Sequence, residues 1–317
     1  MKIREIHRRA LEIGQEADPR GPDAVARSLE RVGREYEEMP EGEKKRFDPD
    51  RLKNPYPDTR ILYGDPEIEV SAILVGIDIE VGEVLLADRL RALGRPLDLL
   101  VSHHPEGIGL SGFPRVMDMQ ADILASLGVP INQAEALLEK RIGEVERRVM
   151  PANLSRAVDA ARLLEIPFLC IHTPADNCVA GFLQEVLDRA APLTVADVVE
   201  AILEVPEYAL FSEEGSPPRV IAGKRRRRAG QVFVDMTGGT EGAPDAYASL
   251  ARRGVGTLVV MHMSEKLLKI AAKHHMNVVV AGHMASDSLG LNLLLDRLDP
   301  AGELRVSACS GFRRVNR

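Results

Sequence analysis

Short apolar runs recur along this chain, and several stop abruptly at a histidine or an acid. Val70–Ile77 (VSAILVGI) is a continuous run, as expected of a strand buried on both faces. Leu97–Val101, Phe168–Ile171, Gly256–Met261, Asn277–Ala281 and Leu304–Ala308 read the same way. Helical spacing fills the intervals at Val81–Leu93, Val116–Leu127, Ala134–Val145, Leu154–Glu165, Val195–Leu203, Asp245–Arg253, Glu265–His274 and Asp287–Leu298. Strands alternating with helices predict an α/β fold. Val220–Ala222 and Gln231–Asp235 read as a hairpin whose tip is the basic run Arg225–Arg228, a solvated turn.

A length of 317 residues is long for one core. The pattern divides into a helical N-terminal extension (1–60), a first α/β domain (61–192) and a second (193–317). Aromatic residues make up 4% of the chain and tryptophan is absent, which argues against a base-stacking surface. The net charge of −7 disfavours a general polyanion binder, so nucleic acid is not the expected partner. Cys170, Cys178 and Cys309 are odd in number and lack C-x-x-C spacing. That pattern fits a reducing cytoplasm better than a disulfide framework. No apolar run approaches the ~20 residues of a membrane span, and the first twenty residues hold no signal-peptide pattern.

Three strand ends carry metal-type ligands: His103-His104, His172-x-x-x-Asp176 and His283-x-x-x-Asp287. Ligands of open α/β sheets gather outside the carboxyl ends of the strands, so the three pairs can converge. Four imidazoles and two carboxylates suit a pair of divalent ions. Taken singly, each pair has an ordinary explanation. Adjacent strand residues point to opposite faces, so His103 and His104 grip different ions only if the strand ends between them. Thr173, Pro174 and Asp176 fit the N-cap, N1 and N3 positions of a helix. Asp287 or Ser286 can likewise cap the helix after Gly282. Asp78 ends the first strand and could orient a histidine or act as a cap. Asp235–Thr240 is a glycine-rich turn without the Lys-Ser/Thr ending of a phosphate-binding loop, and reads as a plain loop.

The segments LDLLVSHHPEG, IHTPADN and VVAGHMASDSLG resemble the three signature segments of the Nif-three-like dinuclear metal-binding family, in order and spacing. Many members are described as GTP cyclohydrolase I type 2 homologues. VSAILVGIDIEV resembles the strand before the His-His segment, and the likeness covers roughly residues 60–317. The resemblance implies two α/β domains with a metal site at their interface. It implies two divalent ions per chain, drawn from zinc, iron, manganese, cobalt and nickel. One would take His103 and His172, the other His104 and His283, with Asp176 and Asp287 as bridging carboxylates. It also implies a homo-oligomer, a hexamer with sites facing an inner cavity. Two departures stand out. Asp287 occupies a position usually held by Glu, so its helix must come closer or the bridge becomes monodentate. Met261-His262-Met263-Ser264-Glu265 replaces a Thr-Gly-Glu type segment, which puts His262 at a strand end as a candidate acid, base or substrate contact.

Two function classes follow. One is a metal-dependent hydrolase acting through an activated water on a small phosphate-containing or nucleotide-like substrate. The other is a non-enzymatic metal-binding or protein-interaction role. Open coordination positions in a polar cleft favour the first, and a closed, saturated site favours the second.

Overall fold

A computed structural model describes residues 1–317 and resolves the apolar runs into two sheets. The strands are β1 (Arg60–Tyr63), β2 (Ala72–Gly76), β3 (Leu99–Ser102), β4 (Phe168–Cys170), β5 (Arg219–Ala222), β6 (Gln231–Asp235), β7 (Val255–Val260), β8 (Asn277–Val280) and β9 (Arg305–Cys309). The first sheet has the order β1-β4-β3-β2-β9 and the second β5-β8-β7-β6. Edge strands β1 and β5 run antiparallel to β4 and β8, and every other pairing is parallel. The expected α/β class is the one found. The continuous apolar strands are central ones: all five residues of β2 are buried, as parallel strands covered on both faces must be.

Two helices form the layer between the sheets. Thr173–Ala190 follows β4 and His283–Leu298 follows β8. On one side Ala175, Cys178, Leu291 and Leu294 pack with Val75, Val101 and Leu169 of the first sheet. On the other, Val179, Leu183, Ala285 and Leu289 pack with Val234, Val259 and Val279 of the second. Every residue from Ile171 to Ala180 is therefore buried. The two helices touch closely at Gly290, where an added Cβ would stand 2.4 Å from the Ala175 carbonyl oxygen.

Four details differ from the sequence reading. Strands β5 and β6 form no hairpin, because β8 and β7 lie between them. The 223–230 linker instead crosses the starts of those strands, tied down by Val195 N–H to Arg227 O and Ala196 N–H to Arg225 O. Arg225–Arg228 remain exposed, with Arg225 paired to Glu200 at 2.7 Å. Secondly, β9 pairs with β2 in the first sheet although it follows the whole second sheet in sequence. Thirdly, Ala121, Leu124, Ala134 and Leu138 pack with Tyr247, Leu250 and Leu258 beside the second sheet. Fourthly, the helix Ile3–Glu16 buries Ile3, Ile6, Ala10 and Ile13 in the first core. That i, i+3, i+7, i+10 stripe makes it part of the core layer, whereas Pro22–Glu38 buries only Val25.

Candidate metal centre

The parallel strands end on one side of each sheet, and the candidate residues meet there. β3 ends at Ser102, so alternation no longer separates His103 from His104, and their rings lie 5.3 Å apart. The ring of His172 stands 4.8 Å from that of His103, and the ring of His283 stands 5.3 Å from that of His104. Three groups each bring their donor atoms within reach of one ion: His103, His104 and His172; His103, Asp176 and Asp287; His104, His283 and Asp287. Asp287 thus shares one group with His103 and another with His104 and His283. His262 lies beside the cluster, 4.9 Å ring to ring from His283, and enters none of the three groups.

Local structure aims these side chains. The Thr173–Ala190 helix starts one residue earlier than its sequence suggests, with His172 as N-cap. Thr173 does not cap it, because its hydroxyl donates to Asp58 Oδ2 at 2.7 Å. The second helix starts already at His283, after Gly282 at φ 118°. Its Ser286 hydroxyl donates to the Gly282 carbonyl, and no side chain caps either helix. Asp176 and Asp287 are thereby left facing the histidines.

The imidazoles are oriented from behind. His103 Nδ1–H donates to the Ile171 carbonyl at 3.2 Å, His104 Nδ1–H to Asp78 at 2.7 Å, and His172 Nδ1–H to Asp58 at 2.8 Å. Fixing the proton on Nδ1 leaves the Nε2 lone pair free in the neutral ring. His103 Nε2 faces Asp176 Oδ1 at 3.4 Å and Asp287 Oδ1 at 3.5 Å. Asp287 Oδ2 lies 3.6 Å from His104 Nε2 and 3.4 Å from His283 Nε2. The shorter acid therefore reaches in both directions, because its helix is close.

Lone pairs pointed at carboxylates repel unless a cation lies between them. Asp176 Oδ1 and both Asp287 oxygens are buried without a hydrogen-bond partner, a costly state for charged groups unless something cationic answers them. Donors each about 2.0–2.2 Å from one ion stand roughly 3–3.5 Å apart, close to the separations here. The donor set therefore fits divalent metal. With protons as the only cations, burial opposes charge on His103, but Asp287 and Asp176 outweigh it and push its pKa up to about 10. Burial likewise opposes charge on His172, where Asp176 and Asp58 raise the pKa above the usual histidine value. Burial lowers His283, helped by the neighbouring His104 and His262. For Asp287, burial is outweighed by the imidazoles of His103, His283 and His104, and its pKa falls below the usual carboxylate value.

Asp58 escaped the sequence reading. It lies in the proline-rich loop before β1, and only the folded chain brings it to His172. Asp58→Ala is expected to weaken metal affinity about 10–100-fold, the usual effect of losing such an orienting partner. Competition against a chromogenic chelator measures this, and unchanged affinity would show that His172 needs no support.

A small cavity of about 60 Å³ opens on the cluster. His172, Asp176, His283 and Asp287 line it, together with Asp235, Glu241, Tyr247 and His262. His262 Nδ1 lies 3.5 Å from Glu241 Oε1 and the side chain is half exposed.

No family model matches the chain, and no curated protein matches it. Among solved structures, it is similar to a NIF3 superfamily protein from Sphaerobacter thermophilus, at 26% identity and a TM-score of 0.69, covering 80% of this chain and 91% of the other. It also matches reduced HcgD from Methanocaldococcus jannaschii at 15% identity and a TM-score of 0.48, covering 78% and 87% of the two chains. A Bacillus cereus protein related to NIF3 matches at 13% identity and a TM-score of 0.39, covering 79% and 89%. The Sphaerobacter match supports the Nif-three-like resemblance read from the sequence.

Proposed function

We propose that this chain is a metal-dependent hydrolase with two divalent ions per chain, acting on a small phosphate-containing or nucleotide-like substrate. The observation that carries the reading is the set of three buried, unpartnered carboxylate oxygens facing imidazoles whose Nδ1 atoms are already engaged. His103, His172 and Asp176 would hold one ion, His104 and His283 the other, with Asp287 between them. When bound, such ions supply an acidified water and a Lewis-acid hold on the attacked group. Asp58 and Asp78 keep His172 and His104 in the tautomer that offers Nε2. His262 sits at the cavity beside Glu241, where it can take or return a proton on the substrate side. We further propose a homo-oligomer, a hexamer by resemblance, residing in the cytoplasm, with the two sheets as the cores of its two domains. No helix is long and apolar enough to cross a membrane.

The small volume of the cavity favours a second reading, a metal-binding or regulatory protein without turnover. One preparation tests both. Protein purified without chelator is expected to carry about two transition-metal ions per chain, to weigh about six chains by light scattering, and to hydrolyse members of a nucleotide and phosphoester panel. His104→Ala is expected to remove about one ion. Metal without turnover on any substrate selects the second reading, and wild-type protein that binds no metal sinks both.

A further inference from the structure

The glycine-rich turn after β6 does more than close a loop. Gln120 Nε2 donates to the carbonyls of Gly238 at 2.6 Å and Thr240 at 2.7 Å, and Arg141 Nε donates to the Glu241 carbonyl at 3.0 Å. Thr237 Oγ1 donates to Asn177 Oδ1 at 2.6 Å, tying the turn to the helix that carries Asp176. Gly238 and Gly239 adopt φ values of 87° and 88°, a region that favours glycine. The turn is thus tied down, and it sets Asp235 and Glu241 in the lining of the same cavity as the metal-type residues.

That part of the lining is acidic. No lysine or arginine lines the cavity. Arg141, a cation whose charge reaches Tyr247, is engaged by the Glu241 carbonyl and by Glu144 at 3.3 Å. The Asp235 carboxyl is only partly exposed, and burial together with the Glu241 charge pushes its pKa up to about 6, with no hydrogen bond to offset them. Tyr247 is 3% exposed, yet it lines the cavity. Tyr56 and Tyr208 place their hydroxyls on Asp18 and Ser286. The hydroxyl of Tyr247 has no such partner and faces only the field of Asp235, Glu241 and Arg141. An unpartnered hydroxyl on a buried ring, lining the cavity beside two carboxylates, marks a place built to meet a ligand.

We propose that Asp235, Glu241 and Tyr247 form a subsite for N–H donors, so that the amidine, guanidine or amino-substituted ring edge of a nucleotide-like substrate is held beside the metal residues and its phosphate stays clear of this acidic part of the lining. This rests on the two-metal reading above and assigns the group nearest the ions. At roughly 10–15 Å³ per water-sized sphere, the cavity has room for about four to six non-hydrogen atoms, the size of an amidine or one edge of a heterocycle. Two carboxylates pair with a forked N–H donor, whereas a phosphate oxygen set against them is repelled.

Calorimetric titration of the metal-loaded full chain tests this with acetamidine and inorganic phosphate as probes. Acetamidine is expected to bind the wild type and to bind Asp235→Asn and Glu241→Gln about ten-fold or more weakly, the effect of losing a charge-assisted hydrogen bond. Tyr247→Phe, which removes one oxygen from a packed ring, is expected to weaken it by a few-fold. Metal content, measured on the same samples, is expected to stay unchanged in all three variants. Equal acetamidine affinity in wild type and variants overturns the proposal. So does phosphate binding that weakens along with acetamidine's in Asp235→Asn and Glu241→Gln, and so does a third metal ion that disappears with Asp235→Asn. A wild type carrying fewer than two ions that still binds acetamidine through these residues refutes the two-metal reading and leaves the subsite standing.

Discussion

Asp287→Ala protein is expected to leave purification nearly free of transition metal and without metal-dependent activity. No other side chain here faces three imidazoles, and both of its oxygens are buried with no hydrogen bond to lose. Removing an orienting partner typically costs 10–100-fold in metal affinity, so removing a donor shared between two groups is expected to cost more than about 100-fold. Elemental analysis of wild type and variant side by side decides the matter. A variant that retains both ions would show that the histidines and Asp176 suffice. Asp287→Glu is the instructive partner, since glutamate is usual at this place in the resembled family. The helix is already drawn in to suit the shorter acid, so the added methylene must find room in a packed layer, and a loss of affinity is expected there as well.

Gly290→Val is expected to lower stability and metal content together. A Cβ at Gly290 would lie 2.4 Å from the Ala175 carbonyl oxygen and 2.9 Å from its carbon. Those neighbours are backbone and cannot swing aside. The clash must push apart the helices that bear Asp176 and Asp287, at a cost of about 1–3 kcal/mol or more. A fall in Tm on the order of 5 °C is the corresponding signal. Gly33→Val is the control, because nothing stands within 4 Å of a Cβ there and only helix propensity changes. If Gly290→Val loses stability and keeps its full complement of metal, the close approach serves packing alone.

Most of this layout was legible because buried parallel strands are apolar without interruption and their carboxyl ends are marked. The six metal-type residues are visible for that reason, and Asp78 also lies at such an end. What stayed hidden depends on partners distant in sequence. β1 is short and only partly buried along its length, so it lacks an apolar run. The helix Gly107–Val116 contains Pro114 and two further glycines, which break a helical pattern. Gly109 and Gly112 are there because Cys170 Sγ and the Pro57 carbonyl press against them. The supposed hairpin failed because two strands in register look alike whether their linker turns back or crosses a sheet. Asp58 and Glu241 are ordinary loop acids, and Asp235 an ordinary strand end, until the fold sets Asp58 beside His172 and Glu241 beside His262.

The pairing of β2 with β9 sets a timetable. Ala72–Gly76 must wait for Arg305–Cys309 to complete the sheet, and the whole second sheet is translated in between. His103, His104 and His172 leave the ribosome long before His283 and Asp287. A nascent chain thus displays three imidazoles and Asp176 while their remaining counterparts are still unmade. On the two-metal reading, loading would belong to the finished molecule, and a stalled or truncated chain would present a loose histidine cluster open to whichever ion the surroundings offer.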